Sequence, residues 1–275
     1  MQNVHFSPPQ LARLFDVNVS TIKRWIDKSI IPSSVTPGGH RRTSRKQLDV
    51  FIQRFPHLAP RSYVLKRLKR EVVPIEGPGS YFLLLRDHRD IEATDLIEHK
   101  YVTGTPLVTI LEDIIAPTLR MIGDLWSQGS LTIVEEHRMS FRIRQDLLRL
   151  ENLIPEPNQS RPPKVIMACV RGDFHELPLQ MAALIFKQCG YQREILGANT
   201  PVEELLRATK DLQPAMVSIT NTYAQRVNRD YLQKFIAACP TKTLLVIGGQ
   251  GWAPQRLPRS VRRINKLTEL LNYLQ

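Results

Sequence analysis

The chain has 275 residues, 42% of them hydrophobic, and a formal net charge of +12; that length holds roughly two domains, or three small ones, with ordinary cores. No apolar run approaches the roughly 20 residues of a membrane span, and the start Met1-Gln2-Asn3-Val4-His5 lacks a basic segment followed by an apolar core, which predicts a soluble cytoplasmic protein with no membrane partner. The three cysteines, Cys169, Cys189 and Cys239, are odd in number, widely spaced and outside any C-x-x-C pair, so they are expected to be reduced and structural.

The charge is concentrated at one end. Residues 1–71 carry fourteen Lys and Arg against four Asp and Glu, a net +10, which leaves about +2 for the rest. A basic module on a nearly neutral remainder points to a polyanion, because neutralising phosphates releases condensed counterions.

Ser7-Pro8-Pro9-Gln10 predicts a helix start, with Ser7 as N-cap, prolines in the first turn and Gln10 completing a capping box. Leu11, Leu14 and Phe15 give that helix an apolar face. A second helix is predicted from Ser20 to Lys28, with Ile22, Trp25 and Ile26 inward and Ser20, Thr21, Lys23 and Arg24 outward, which is helix-turn-helix geometry. In Thr36-Pro37-Gly38-Gly39-His40-Arg41-Arg42 the glycines predict a tight hairpin tip and the basic triplet a returning strand, the build of a DNA-contacting wing. A third helix is predicted over 46–55, packing through Leu48, Phe51 and Ile52. Residues 5–55 resemble the MerR-type winged helix-turn-helix, particularly its short excisionase-like branch. The DNA-facing set is then Ser20, Thr21, Lys23 and Arg24 from the second helix and His40, Arg41 and Arg42 from the wing, and the partner a double-stranded operator.

Domain boundaries are expected at 1–60 for this module, 61–79 for a linker rich in Pro and Gly at its end, 80–155 for a four-helix bundle and 162–275 for an α/β domain. The bundle helices are expected at 81–86, 91–102, 106–127 and 131–150, broken by Gly104 and Gly129. Its informative feature is Trp126, followed after nine residues by Glu136-His137 across a short turn. In the last domain, strands near 164–170, 192–197, 215–220 and 243–247 alternate with helices near 178–189, 201–212 and 228–238, with a further helix near 266–274. That alternation predicts a doubly wound parallel sheet of the Rossmann-like or flavodoxin-like kind. Thr200-Pro201-Val202-Glu203 reads as a capping box with proline at the first helical position. Val170-Arg171-Gly172-Asp173-Phe174-His175 then falls in a strand-to-helix loop on the edge where such sheets bind ligands. An imidazole there, with a carboxylate two residues before it, could ligate a metal with the carboxylate orienting its other nitrogen.

A bundle with W-x9-E-H, an α/β domain with D-x-H, then Ser218-Ile219-Thr220 and Gly248-Gly249 after a strand, resembles the cobalamin-binding domain pair of methionine synthase and of the light-responsive MerR-type repressors of the CarA, CarH and LitR kind. The resemblance implies a repressor that binds adenosylcobalamin, forms a homo-oligomer (dimer or tetramer) and couples cofactor to operator affinity, with light as a candidate trigger; it is not an enzyme. It implies that Trp126, Glu136 and His137 cover the upper face of the corrin. His175 would bind cobalt from below, Asp173 would orient it, and the nucleotide tail would pass Ser218, Thr220, Gly248 and Gly249. Two positions depart from the family pattern: Pro178 stands where D-x-H-x-x-G has glycine, and Ser127 where the photoreceptors carry a histidine. Two other readings remain open, the same architecture as a cofactor-free sensor or oligomerisation scaffold, and a corrinoid carrier for a methyltransferase; the last leaves the basic winged helix unexplained.

Overall fold

In a computed structural model the chain forms two compact units, Met1–Pro155 and Glu156–Gln275. The structure describes residues 5–15, 17–36, 38–44, 47–48, 50–51, 55, 78–156, 159–222, 229–252, 257–258 and 260–275. No helix among the described residues is long and apolar enough to cross a membrane.

The first unit opens with α1 (Pro8–Phe15) and α2 (Val19–Asp27). Gln10 Oε1 accepts the Ser7 N–H at 2.6 Å, one half of the expected capping box. Asn18 caps α2, accepting the Ser20 N–H at 3.2 Å. Leu11, Leu14, Phe15, Ile22 and Ile26 are buried, and Phe15, Trp25 and Phe51 meet edge-on or tilted, with centroids 5.5 to 6.3 Å apart. The wing is the antiparallel pair β2 (Ser34–Val35) and β3 (Arg41–Ser44), with Gly39 at φ +76° near its tip. β3 also pairs with β1 (His5–Phe6), so the order is β1-β3-β2. Of the expected third helix, Gln47, Leu48, Val50 and Phe51 are helical, with Leu48 and Phe51 buried, and Ser44 and Gln47 cap one another. Lys46, Asp49 and residues 52–54 lie outside the described residues, as does the expected linker up to residue 77. Pro78 and Gly79, expected at the linker's end, instead begin α3 (Pro78–Arg86).

The bundle continues with α4 (Asp90–Val102), α5 (Leu107–Ile110), a π-helical stretch Leu111–Ile115, α6 (Ala116–Ser127) and α7 (Ile133–Leu153). The widened stretch lies directly before Pro117, which has no N–H to offer the preceding turn. Gly104 at φ +103° and Gly129 at φ +72° terminate α4 and α6. Thr132 and Glu135 form a reciprocal capping box at the start of α7. At the centre, fully buried Asp146 accepts from the Tyr81 hydroxyl at 2.8 Å and the Thr94 hydroxyl at 2.5 Å, with Arg142 at 3.7 Å. Burial pushes this carboxyl above its ordinary range, against the opposing pull of Thr94, Tyr81, Arg142 and Arg149.

In the second unit, β4 (Lys164–Val170), β5 (Gln192–Thr200), β6 (Met216–Thr220), β7 (Leu244–Gly248) and β8 (Val261–Ile264) form one parallel sheet in the order β5-β4-β6-β7-β8. Helices α8 (Glu176–Gln188), α9 (Val202–Leu212), α10 (Arg229–Ala238) and α11 (Leu267–Leu274) accompany it. The strand order reverses between β4 and β6, the flavodoxin-like switch point. Ile166, Ala168, Val170, Val217, Ile219, Leu245 and Ile247 pack with residues of α9 and α10. Alternation sends Met167, Cys169, Ser218, Thr220 and Val246 to the other face. β8 was not expected. The capping box expected at Thr200 is not made: Pro201 is the N-cap, without a side-chain cap, and the Thr200 hydroxyl donates to the Gly197 carbonyl.

Because Asp146 holds its proton more tightly folded than unfolded, the first unit loses stability as pH rises from the ordinary carboxylate pKa of about 4 to the higher folded value. Urea denaturation of the full chain across that window is expected to show this slope, and Asp146→Asn to flatten it.

Candidate functional site

The His175 loop sits at the switch point. It leaves the buried strand β4, turns at Gly172 with φ +84°, and enters α8, of which His175 is the N-cap. Asp173, 1% exposed, holds the loop together. Its Oδ1 lies 2.8 Å from His175 Nδ1 and accepts the His175 N–H at 3.0 Å, while its Oδ2 accepts the Thr222 N–H at 2.6 Å, across the crevice at the end of β6. Burial pushes the Asp173 carboxyl up, but the hydrogen bonds from His175 and Thr222 outweigh it and hold the group below its ordinary range. The loop is braced from β5 as well: Asn199 donates its N–H to the Asp173 carbonyl at 2.9 Å and accepts the Gly172 N–H on its side chain at 2.8 Å. The His175 side chain is 50% exposed, and with Nδ1 on the carboxylate, Nε2 is the nitrogen that could coordinate a metal. Phe174 beside it is 70% exposed. No cluster of three or more His, Cys, Asp or Glu among the described residues could hold a metal ion, so a metal on His175 would have to bring most of its other donors with it.

Ser218 and Thr220 lie on the sheet face that also carries Cys169. Cys169 Sγ is 3.7 Å from the His175 carbonyl oxygen, and burial, with the charges of Asp173 and Glu176, pushes this thiol up to about 12. Gly248 ends β7 next to Thr220. Gly249 has a reason internal to the fold: at φ +97°, a Cβ there would stand 2.2 Å from the Asn221 carbonyl oxygen. Pro178 falls in the first turn of α8, where N–H groups have no intrahelical partner, so the helix loses nothing by it. Two polar atoms of this unit that the motifs do not include, the Thr222 hydroxyl and the Gln180 amide oxygen, are buried with no hydrogen-bond partner among the described residues. Buried polar atoms of this kind suit a polar ligand. The position of Thr222, two residues past a strand on the ligand edge, was the signal that could have found it.

The Trp126, Glu136 and His137 set belongs to the first unit. The turn between α6 and α7 brings the last turn of one helix and the first turns of the next to one end of the bundle, with Ser130 and Leu131 donating N–H groups to the Leu125 carbonyl. Trp126 is 47% exposed. Glu136 accepts from the Ser140 hydroxyl at 2.6 Å and lies 3.5 Å from His137 Nε2, with the His137 side chain largely exposed. The Ser127 hydroxyl donates to the Asp124 carbonyl at 2.8 Å.

On the basic module, Ser20, Lys23 and Arg24 are exposed along α2, with Thr21 half-buried. His40 and Arg41 are exposed on the wing and Arg42 is half-buried. Arg41 is ion-paired with Asp27 at the end of α2, which ties the wing to that helix.

A model described as a helix-turn-helix domain matches residues 6–55, and two models described as B12 binding domains match residues 81–150 and 163–259. The chain is CarA/CarH-like. The HTH-type transcriptional repressor CarH of Myxococcus xanthus is 31% identical to it over 151 residues, 54% of this chain and 49% of that protein, so the match spans about half of that relative. CarA of the same organism is 25% identical over 256 residues, 88% of this chain and 85% of that protein. Among solved structures, the Methanosarcina barkeri monomethylamine corrinoid protein is similar to this CarA/CarH-like chain with a TM-score of 0.58 at 12% identity, covering 70% of this chain and 94% of that one. That likeness is one of fold. The resemblance read from the motifs, and the mixed helical and parallel α/β architecture, are thereby borne out.

Asp173→Ala is expected to leave the Thr222 and His175 N–H groups without their acceptor, at a cost of about 1–3 kcal/mol at neutral pH. The wild-type advantage is complete above the ordinary carboxylate pKa and is lost as pH falls through the lower folded value. Thermal unfolding of wild type and variant at neutral and acid pH checks both.

Proposed function

We propose that this chain is a transcriptional repressor whose winged helix-turn-helix binds a double-stranded operator and whose bundle and α/β domain bind adenosylcobalamin, which controls homo-oligomerisation and operator affinity. The observation that carries this reading is Asp173 gripping Nδ1 of His175 at the β4/β6 switch point of a B12-binding-type domain. His175 would hold the cobalt through Nε2, and Asp173 would set its ring orientation and raise its basicity. Ser218, Thr220 and Gly248 line the tail's path, while Gly249 shapes the turn beside it. Trp126, Glu136 and His137 would be the bundle's contacts to the cofactor. When bound, the cofactor would supply a cobalt–carbon bond. With Ser127 bonded to its own helix, light sensing through a second protein ligand at that position is not part of this proposal. The exposed Val134, Phe141 and Leu148, seven residues apart on α7, supply apolar surface for association of copies.

Ser20, Thr21, Lys23 and Arg24 present α2 to the major groove, and His40, Arg41 and Arg42 present the wing to the backbone or minor groove. Lys23 and Arg24 on an exposed helix face, beside a wing locked by Asp27, support that reading. A cofactor-free scaffold of the same architecture is favoured by one observation, the internal explanation of Gly249.

Binding of the full chain to its own promoter region is to be titrated in the dark, at several salt concentrations, with and without adenosylcobalamin. The expected result is a steep fall of affinity with salt, a slope shallower by about 1 in Arg24→Ala, and an affinity that changes when the cofactor is added. A shallow slope contradicts the DNA reading. A steep slope that ignores the cofactor selects the scaffold reading.

A further inference from the structure

The helix-turn-helix and the bundle meet at a joint that no motif announces. Gln10 of α1 uses both ends of its amide: Oε1 accepts the Ser7 N–H, and Nε2 donates to the Thr103 carbonyl, the C-cap of α4. Arg13, one turn on, places its guanidinium 5.6 Å from the centroid of the Tyr101 ring, which is itself buried. Gly104 lies against the same contact: a Cβ there would stand 3.3 Å from Gln10 Nε2, close enough that the amide would have to give by a few tenths of an ångström. α1 in turn fixes α2, through Phe15 against Trp25.

α4 is keyed to α7 along its length. Asp90 pairs with Arg138, Thr94 with Arg142 and Asp146, and Glu98 with Arg149. These partners rise together in sequence, so the two helices run parallel. The Trp126–His137 end of the bundle is therefore level with the start of α4, and the joint with α1 lies at the opposite end, about 20 Å away for thirteen residues at 1.5 Å each. A shift of α7 cannot leave α4 unmoved without breaking these polar pairs, of which Thr94–Asp146 is buried and costly to leave unmade, while Asp90–Arg138 and Glu98–Arg149 are part-exposed.

We propose that α4, keyed to α7 by this ladder and to α1 by Gln10 and Arg13, is the element through which the Trp126–His137 end of the bundle sets the position of the recognition helix α2. The proposal rests on the reading of the chain as a ligand-controlled DNA-binding regulator. Coupling of this kind is carried by packed elements and polar networks, and it must act equally in both directions.

The test uses the full chain, as wild type, as the double variant Gln10→Ala/Arg13→Ala, and as Arg138→Ala, a milder cut in the ladder than any change at buried Asp146. Without ligand, hydrogen exchange of the α1 amides is expected to speed up at least about 5-fold in both variants, with α7 protection kept in the double variant. Unchanged α1 protection in both overturns the proposal. With adenosylcobalamin in the dark, the double variant is expected to retain the corrin absorbance and bind operator DNA, while the ratio of operator affinities with and without cofactor falls close to 1. A ratio equal to that of wild type overturns the proposal. If wild type shows no cofactor dependence at all, the functional reading fails by itself, and the exchange measurement alone decides the joint.

Discussion

Asp173 is a carboxylate almost wholly removed from water, and the ligand edge of the α/β domain is assembled around it. A buried charge is tolerable only when its lone pairs are matched; here the His175 ring, the His175 N–H and the Thr222 N–H share them. The consequence is geometric. The loops after β4 and β6, which diverge at the switch point, are tied to one atom group, and the imidazole between them has a set orientation. Burial, with the neighbouring carboxylates, pushes the Cys169 thiol beneath the loop up to about 12.

Asp146 plays a comparable part in the bundle with the opposite electrostatic outcome. It too is buried and hydrogen-bonded, but the donors facing it are mainly hydroxyls, and burial wins. The contrast fits the two surroundings: the backbone N–H groups and imidazole on Asp173 outweigh its burial, whereas the hydroxyls of Tyr81 and Thr94 pull Asp146 the same way but do not offset burial in the bundle core. The result is a core in which α3, α4 and α7 are held in register by polar contacts as well as by apolar packing, and register is what places Glu136 and His137 beside the end of α6.

Much of this was legible in the sequence, because period and punctuation act locally. The apolar spacing of Leu11, Leu14, Ile22 and Ile26, the Gly38-Gly39 tip, the glycines after α4 and α6, and the β-branched runs of β4, β6 and β7 all correspond to elements found. What escaped has physical causes. β1 is two residues long and exists only because β3 offers it an edge. β8 carries Arg262 and Arg263 and lacks an apolar run. α2 starts at Val19, one residue before the expected Ser20, because Asn18 serves as its N-cap. Gln10 was readable as a local cap, but its other bond reaches a carbonyl 93 residues away, which no local pattern encodes. Of the candidate site, the Asp173–His175 pair was readable from spacing, while Thr222 had only its place past a strand end to mark it, since it enters through a backbone N–H that any residue could supply.

His175, held by Asp173, is the residue proposed to hold the cobalt of the cofactor. Electron paramagnetic resonance of the full chain loaded with cob(II)alamin reads the axial nitrogen directly. Protein grown with 15N-histidine should change the nitrogen splitting of the cobalt signal from the three-line to the two-line form, and His175→Ala should abolish that change. A splitting that ignores the histidine label, or a chain that retains no corrin after removal of free ligand, would contradict the account.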